Sequence, residues 1–213
     1  MKIEMGESIF YTWLRHIKKC QLVQTNWKVS QSWETYNQSE LEEFMECAKE
    51  FFLEKYNYNV FKNNSFSQLI KQAEVDALGV SFSDEDMRIY AVDVAYHGNG
   101  LIYGRQKLTV YTVIKKFLRT AICLKYLFDV NNGDIIFASP KVSPKVMSDL
   151  TSAIEDVNTL FSSNGLGFSA ELYANNDFNE NVLKPILAIS EDVADTSEMF
   201  LRSYQLIKLF NGK

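Results

Sequence analysis

The sequence predicts a mixed α/β domain in which helices flank a sheet. Three observations support this prediction: apolar residues at helical spacing alternate with short β-rich runs, glycine and proline are scarce at 9 and 3 residues of 213, and there is no internal repeat or flexible linker. Elements that alternate in this way pack as layers about one core. We therefore expect a single domain over 1–213, with a central core over about 5–140 and a C-terminal α/β extension over 141–213.

The N-terminal part is predicted to contain a helix, a strand and a second helix. Apolar residues at helical spacing predict a helix over 5–19, and the partly alternating run after it predicts a strand over 21–28. Ser39 stands three residues before Glu42, as in a capping box, and an apolar stripe follows. The second helix is therefore expected over about 39–56.

A hairpin is predicted in the middle of the chain. Residues 66–73 form either a helix or an irregular segment before it. The runs AEVDALGVSF and RIYAVDVAYH are rich in β-forming residues, and an acidic turn at 83–86 joins them. The glycine-marked stretch GNGLIYG follows as a loop.

The remainder of the chain alternates between helices and strands. Apolar spacing predicts a long helix over 106–128, and DIIFASP predicts a short buried strand. Ser143 and Pro144 supply a capping residue and a proline at the first helical position, so a helix should begin there. FSAELYA alternates as a strand. The C-terminal segment is predicted to be mostly helical, with Pro185 starting or kinking one helix and Asp195 capping the last.

Composition excludes several classes of protein. The formal net charge of -5 argues against a protein that coats nucleic acid along its length. Three widely spaced cysteines without zinc-ligand spacing favour a reduced, intracellular compartment. At the N-terminus acids precede a short apolar stretch and bases follow it, the reverse of a signal peptide, and no run approaches the roughly 20 apolar residues of a membrane span. We expect a cytoplasmic protein with no membrane partner.

Acidic residues interrupt both strands of the predicted hairpin. Glu74 and Asp76 lie in the first strand and share one face, and Asp93 and His97 share a face of the second. If the strands are neighbours, Asp76 and Asp93 can reach one hard cation such as Mg²⁺ or Mn²⁺. The alternative is an ordinary solvent-facing side of a sheet, which any antiparallel hairpin with a polar face produces.

The predicted helix after the hairpin is basic. Lys115 and Arg119 are four residues apart and face the same way. A basic helix beside paired acids is typical of a cradle for a phosphate backbone, and an ordinary solvated helix face is the alternative. We expect four of its residues to contact nucleic acid: Arg105, Lys115, Lys116 and Arg119.

The order helix, acid-bearing hairpin, helix and strand resembles the core of the PD-(D/E)XK, or restriction-endonuclease-like, nuclease superfamily. That core carries an Asp on one strand and a D/E-x-K motif on the next. Asp76 in EVDALGV matches the first acid and Asp93 in VDVAYH matches the second, within about 70–135. The resemblance implies a restriction-endonuclease-like sheet flanked by helices, with extra C-terminal helices. It also implies a nuclease with Mg²⁺ or Mn²⁺ on Asp76 and Asp93, and with Glu7 or Glu74 as a further ligand.

The sequence departs from the family motif at one position. Ala95 stands two residues after Asp93, where the family has the lysine that positions or activates water. The superfamily can supply that lysine from a neighbouring element, and Lys107 and Lys71 are the nearest substitutes in the sequence. His97 can act as base or ligand, although a lone histidine near a strand end is usually a hydrogen-bonded surface residue. We expect Lys107 or His97 to replace the missing lysine.

Two other functions remain open. Ala95 and the acidic net charge fit a catalytically inactive nuclease-fold protein that binds nucleic acid or another protein. The other possibility is an unrelated interaction domain whose hairpin is only a polar sheet edge. The expected partner is nucleic acid, DNA in preference to RNA, with a homodimer or a partner protein as further options. The amphipathic last helix can either pack on the core or dimerise.

Overall fold

The computed structural model describes residues 5–30, 32–62, 64–83, 87–193 and 198–211. Its elements follow in chain order: α1 (Met5–Thr12), continued by a π-helical turn (Trp13–Ile17), β1 (Leu22–Lys28), α2 (Gln38–Tyr56), α3 (Phe66–Lys71), β2 (Glu74–Phe82), β3 (Met87–Val94), α4 (Gln106–Phe128), β4 (Gly133–Ser139), α5 (Pro144–Ser163), β5 (Phe168–Ala174), α6 (Asn175–Phe178), continued by a π-helical turn (Asn179–Leu183), α7 (Lys184–Ile189) and α8 (Met199–Asn211).

The strands form one mixed sheet in the order β1-β2-β3-β4-β5. The pairs β1–β2 and β2–β3 are antiparallel, whereas the pairs β3–β4 and β4–β5 are parallel. Parallel neighbours need a crossover connection, and α4 and α5 provide the two crossovers. Every residue of β4 is buried, as expected for a strand covered on both faces. The predicted mixed α/β class is confirmed.

Two clusters of buried apolar residues cover the two faces of the sheet. Ile135 and Phe137 of β4 point into one cluster, together with residues of α2, α3, α4 and α5. Ile136 and Ala138 point into the other, together with residues of α1, its π-helical turn, and α6 to α8. The alternation follows from the two-residue repeat of a strand. The sheet is thus a central layer between two layers of helices.

The C-terminal segment belongs to the same layers as the rest of the chain. Its strand β5 pairs with β4 along their whole length. Leu201 of α8 lies in the same buried cluster as Ile9 and Phe10 of α1. In addition, the Phe200 backbone N–H donates a hydrogen bond to Ser8 Oγ at 2.9 Å. The segment after residue 140 therefore helps to hold the first helix in place.

The predicted capping box at Ser39 is wrong. The N-cap of α2 is Asn37, which has a left-handed conformation with φ 56° and makes no capping bond through its side chain. Its side-chain amide instead donates to Asp129 Oδ1 at 2.7 Å, at the end of α4. Because the helix begins at Gln38, Ser39 already lies within its first turn. A capping box is present on α3, where Ser65 and Gln68 exchange hydrogen bonds with each other's backbone.

The other boundaries agree with the predicted elements to within a few residues, with one consequential exception. Strand β3 ends at Val94, so Ala95 and His97 lie beyond it rather than on it. Pro185 is the second residue of α7, directly after the π-helical turn, which agrees with the predicted option that places it at the start of a helix. The predicted cap at Asp195 and most of the predicted acidic turn, 84–86, lie outside the described residues. In the part of the chain that the structure describes, none of the helices has the length and apolar character to cross a membrane.

Candidate active site

Two carboxylates meet where β2 begins and β3 ends. Ala77 pairs with Val92 in the antiparallel ladder, so Asp76 and Asp93 are the next residues of the two strands in that direction. The Val94 backbone N–H donates to Asp76 Oδ2 at 2.6 Å, which shows that the Asp76 side chain reaches the end of β3. The sequence predicted this juxtaposition, and the structure brings the two acids together.

A lysine of α4, Lys116, forms an ion pair with one of the two carboxylates. Its ammonium group donates a hydrogen bond to Asp93 Oδ1 and lies 6.0 Å from the centre of the Phe137 ring. The Asp93 side chain is only 5% exposed and that of Lys116 is 25% exposed, so the ion pair is largely desolvated. Burial lowers the pKa of Lys116, but the charge and hydrogen bond of Asp93 and the charge of Asp76 outweigh it and raise the pKa. Lys116 therefore stays protonated at neutral pH.

The pKa of the Asp76 carboxyl is raised above its ordinary value. Burial raises its pKa most strongly, and the Val94 N–H lowers it. The charge of Asp93 raises the pKa, that of Lys116 lowers it and that of Glu7 raises it, with a net result of about 6. Burial is thus the main reason for the raised pKa of Asp76, and the charge of Lys116 offsets it only in part.

Helix α1 places Glu7 beside the two strands. The preceding Gly6 packs so tightly on β3 that a Cβ atom there would lie 2.5 Å from Val94 Cγ1. Glu7 itself is buried, and Asn26 Nδ2 donates to its Oε2 at 2.5 Å. Asn26 interrupts β1 with a left-handed backbone, φ 52°. The predicted third acid therefore lies in the group, held by an amide that the sequence did not point to.

Tyr103 is a member of the group that the sequence did not predict. Burial raises the pKa of its phenol, the charge of Lys116 lowers it, and those of Asp93 and Asp76 raise it. Its backbone N–H donates to Thr109 Oγ1 at 2.9 Å, which ties the loop to the start of α4. The exposed His97 contacts the Tyr103 ring edge-on, with 5.6 Å between ring centres, and so lies at the outer margin of the group.

Other predicted residues lie elsewhere. Glu74 is exposed and pairs with Lys28 at 3.1 Å. Lys107 precedes Lys116 by about two and a half helical turns, so it projects from the opposite side of α4, where it lines a cavity with Tyr111. In the part of the chain that the structure describes, neither Glu74 nor Lys107 forms a hydrogen bond or an ion pair with Asp76 or Asp93. Lys71, just before β2, lines a separate cavity.

The predicted basic face of α4 divides into three parts. Lys116 is engaged with Asp93 and is not free to line an outer surface. Lys115 is half-buried next to Arg119, whose guanidinium donates to the Glu74 backbone carbonyl at 3.4 Å. Arg105 is exposed at the N-cap of the helix. Of these four predicted residues, Lys115 and Arg119 are the two that form a joint cationic surface.

Within the described ranges, no three His, Cys, Asp or Glu side chains form a ready metal-ligand set. A cation here would therefore rest on Asp76 and Asp93 and take its other ligands from water or substrate, which is common for Mg²⁺. Comparisons of the chain with protein-family models, curated proteins and solved structures gave no match.

Proposed function

We propose that the protein is a divalent-metal-dependent nuclease that hydrolyses nucleic-acid phosphodiesters, with Lys116 in place of the lysine missing at position 95. The contact between Lys116 and Asp93 is the observation that carries this proposal. It brings an ammonium group to the carboxylate from a neighbouring helix. Ala95 is 3% exposed and packs in the apolar core, which favours a small apolar residue there.

The carboxylates present fit Mg²⁺ or Mn²⁺. Two acids lie across from each other, and the pKa of Asp76 is raised by burial and, to a lesser extent, by the charges of Asp93 and Glu7, which a bound cation would oppose. Asp76 and Asp93 would hold the ion, and Glu7 would position one of the waters bound to it. When bound, such an ion neutralises charge that develops on phosphate and lowers the pKa of a bound water.

The protein's own groups have distinct tasks in this reaction. A water oxygen bonds to phosphorus as an ester P–O bond breaks, which gives a phosphate monoester and a free hydroxyl. Lys116 remains protonated and donates hydrogen bonds to the oxygens on which negative charge accumulates. Asp93 holds the ammonium group in position. The charges of Lys116, Asp93 and Asp76 act on the Tyr103 phenol, whose hydroxyl would orient a phosphate oxygen or the water.

The element order also supports the proposal. Helix α1, the β2–β3 pair, α4 and β4 occur along the chain in the order on which the resemblance to PD-(D/E)XK nucleases rests, with β1, α2 and α3 between α1 and β2. Asp76 and Asp93 lie on the two strands of that pair.

The test is cleavage of single- and double-stranded DNA and RNA with Mg²⁺ or Mn²⁺. We expect Lys116→Ala and Asp93→Asn each to lower the rate by about 10²-fold or more, the usual cost of losing a group that stabilises charge in the transition state. Lys107→Ala is the matched control, because it removes a lysine from the opposite side of the same helix and should leave the rate unchanged.

Two results would contradict the proposal. One is an intact protein that cleaves none of these substrates with either metal; if it still binds them, the inactive binding protein is the better description. The other is cleavage that persists at the wild-type rate in Asp93→Asn.

A further inference from the structure

A cavity of about 310 Å³ opens between α3, α4 and the segment after β1. Its lining combines aromatic and polar side chains: Trp33, Phe66, Tyr126, Gln38, Ser67 and Lys71. Trp33 is 42% exposed, and its inner side packs on Trp27 with 5.8 Å between ring centres. Flat rings beside amide and hydroxyl groups suit a planar heterocycle, and the volume is at the small end of ligand sites, as for one base.

Three cations act on one another beside α4: Lys62, Lys115 and Arg119, here called the cation triad. Burial lowers the pKa of Lys115, and the charges of Arg119 and Lys62 lower it further. Arg119 Nε is buried without a hydrogen-bond partner. Among the described residues, no carboxylate lies within ion-pair distance of any member of the triad. An anion with several oxygens, such as a phosphate, would reduce the repulsion among the three cations and accept a hydrogen bond from Arg119 Nε.

Strand β2, with the residues before it, and helix α4 both run from the carboxylates past Arg119 to the cavity. Along β2 and its approach, Asp76 comes first, then Glu74, whose carbonyl accepts from Arg119, and then Lys71 at the cavity. Along α4, Lys115, Arg119 and Tyr126 recur at four and seven residues, so they lie on one side of the helix. Lys116 and Tyr126 are about 15 Å apart along the axis.

We infer that this cavity binds an unpaired nucleobase of the nucleic acid whose backbone crosses the carboxylate pair, and that the cation triad holds a phosphate between the two. This assignment rests on the proposed nuclease function and defines its substrate as a strand with an unpaired base near the cleaved bond. A base inside a duplex is stacked on both faces and would first have to be unstacked and flipped out of the helix. Recognition by stacking and a few cations also agrees with the net charge of -5.

The test is binding in EDTA, so that cleavage does not interfere. The probes are a short fluorescently labelled single-stranded DNA, the same strand with abasic sugars throughout, and the matching duplex. We expect Trp33→Ala to weaken binding of the base-containing strand on the order of 10-fold to 100-fold and to leave the abasic strand unchanged. Lys115→Ala should weaken binding of both strands and reduce the salt dependence by about one phosphate contact.

Further variants separate a binding role from a structural one. Ser67→Phe fills the cavity from its exposed rim and should reproduce the loss seen with Trp33→Ala. Phe210→Ala removes an aromatic side chain that is 83% exposed on α8 and should change nothing. Binding should also quench tryptophan fluorescence in the wild type but not in Trp33→Phe, because Trp13 and Trp27 are buried.

The base site is overturned if Trp33→Ala and Ser67→Phe bind the base-containing strand as tightly as the wild type does. It is also overturned if these substitutions weaken binding of the abasic strand or of the duplex as much as they weaken binding of the base-containing single strand. These failures differ from failure of the nuclease proposal. A protein that binds as predicted but cleaves nothing with Mg²⁺ or Mn²⁺ overturns only the nuclease, and one that cleaves but ignores both substitutions overturns only the base site.

Discussion

Asp93 and Lys116 form an ion pair between a strand and a helix, and the pair is expensive to bury. The two residues are 23 positions apart, and the carboxylate is 5% exposed. A buried ion pair often adds no net stability over apolar residues of similar size. The second acid, Asp76, adds to this cost, since its own pKa is raised to about 6. Buried charges with perturbed pKa values are typical of functional sites. The group is therefore better explained by a functional role than by a contribution to stability.

At the level of single residues, Asp76→Asn should stabilise the metal-free protein at alkaline pH. The folded-state pKa of about 6 exceeds the ordinary value of 3.8, so the folded state binds more protons between those values and stability falls as pH rises through them. An asparagine removes the charge and can still accept the Val94 N–H bond. We expect a gain of up to about 3 kcal/mol at pH 8 and little gain at pH 4.

Urea unfolding in EDTA at both pH values measures this difference. Asp192→Asn, an exposed aspartate outside the site, is the matched control and should show no pH-dependent gain. Equal effects of Asp76→Asn at both pH values would contradict the assigned protonation behaviour.

At the level of elements, the position of α1 depends on Gly6. The helix rests on β3 at a point where even a methyl group has no room, and the next residue is the buried Glu7. Gly6→Ala should therefore push α1 away from the sheet and destabilise the fold by about 1–3 kcal/mol, the usual cost of overpacking. It should also lower the cleavage rate, because Glu7 moves with the helix.

Gly98→Ala is the matched control for this change. No atom lies within 4 Å of a Cβ built at Gly98, so the same substitution there should be tolerated. Thermal unfolding and cleavage rates of the two variants provide the comparison. A Gly6→Ala protein as stable and active as the wild type would show that α1 is not held by this contact.

The elements were accessible from the sequence to different degrees. Helix α4 and the strands could be predicted because their apolar periodicity reflects burial directly. The start of α2 was predicted to within one residue, but its N-cap was not, because Asn37 is held by Asp129 from the distant end of α4. For the site, Asp76 and Asp93 follow from the hairpin register, which is a local property. The partnership of Lys116 with Asp93 depends on how α4 docks on the sheet, and no local pattern encodes that.

At the level of the whole molecule, the site is assembled from both sides of the sheet. Lys116 comes from the α2–α5 layer, and Glu7 comes from the layer of α1 and α6–α8. Glu198, 1% exposed at its side chain, binds Arg15 at 3.2 Å and His16 at 2.8 Å next to α8, which fixes the segment after α1. Because both layers contribute a charged side chain, a ligand bound at the site should stabilise the entire fold against unfolding.

Metal binding should therefore raise the melting temperature of the wild type and not that of the carboxylate variants. A ligand at ten times its dissociation constant stabilises the folded state by about 1.4 kcal/mol. For a chain of this size that corresponds to a rise of about 3–6 °C. Mg²⁺ or Mn²⁺ titrated at pH 7.5 should produce such a shift in the wild type and in Asp192→Asn. Asp76→Asn and Asp93→Asn each remove a ligand and should show no shift, whereas an equal shift in all four proteins would place the cation elsewhere.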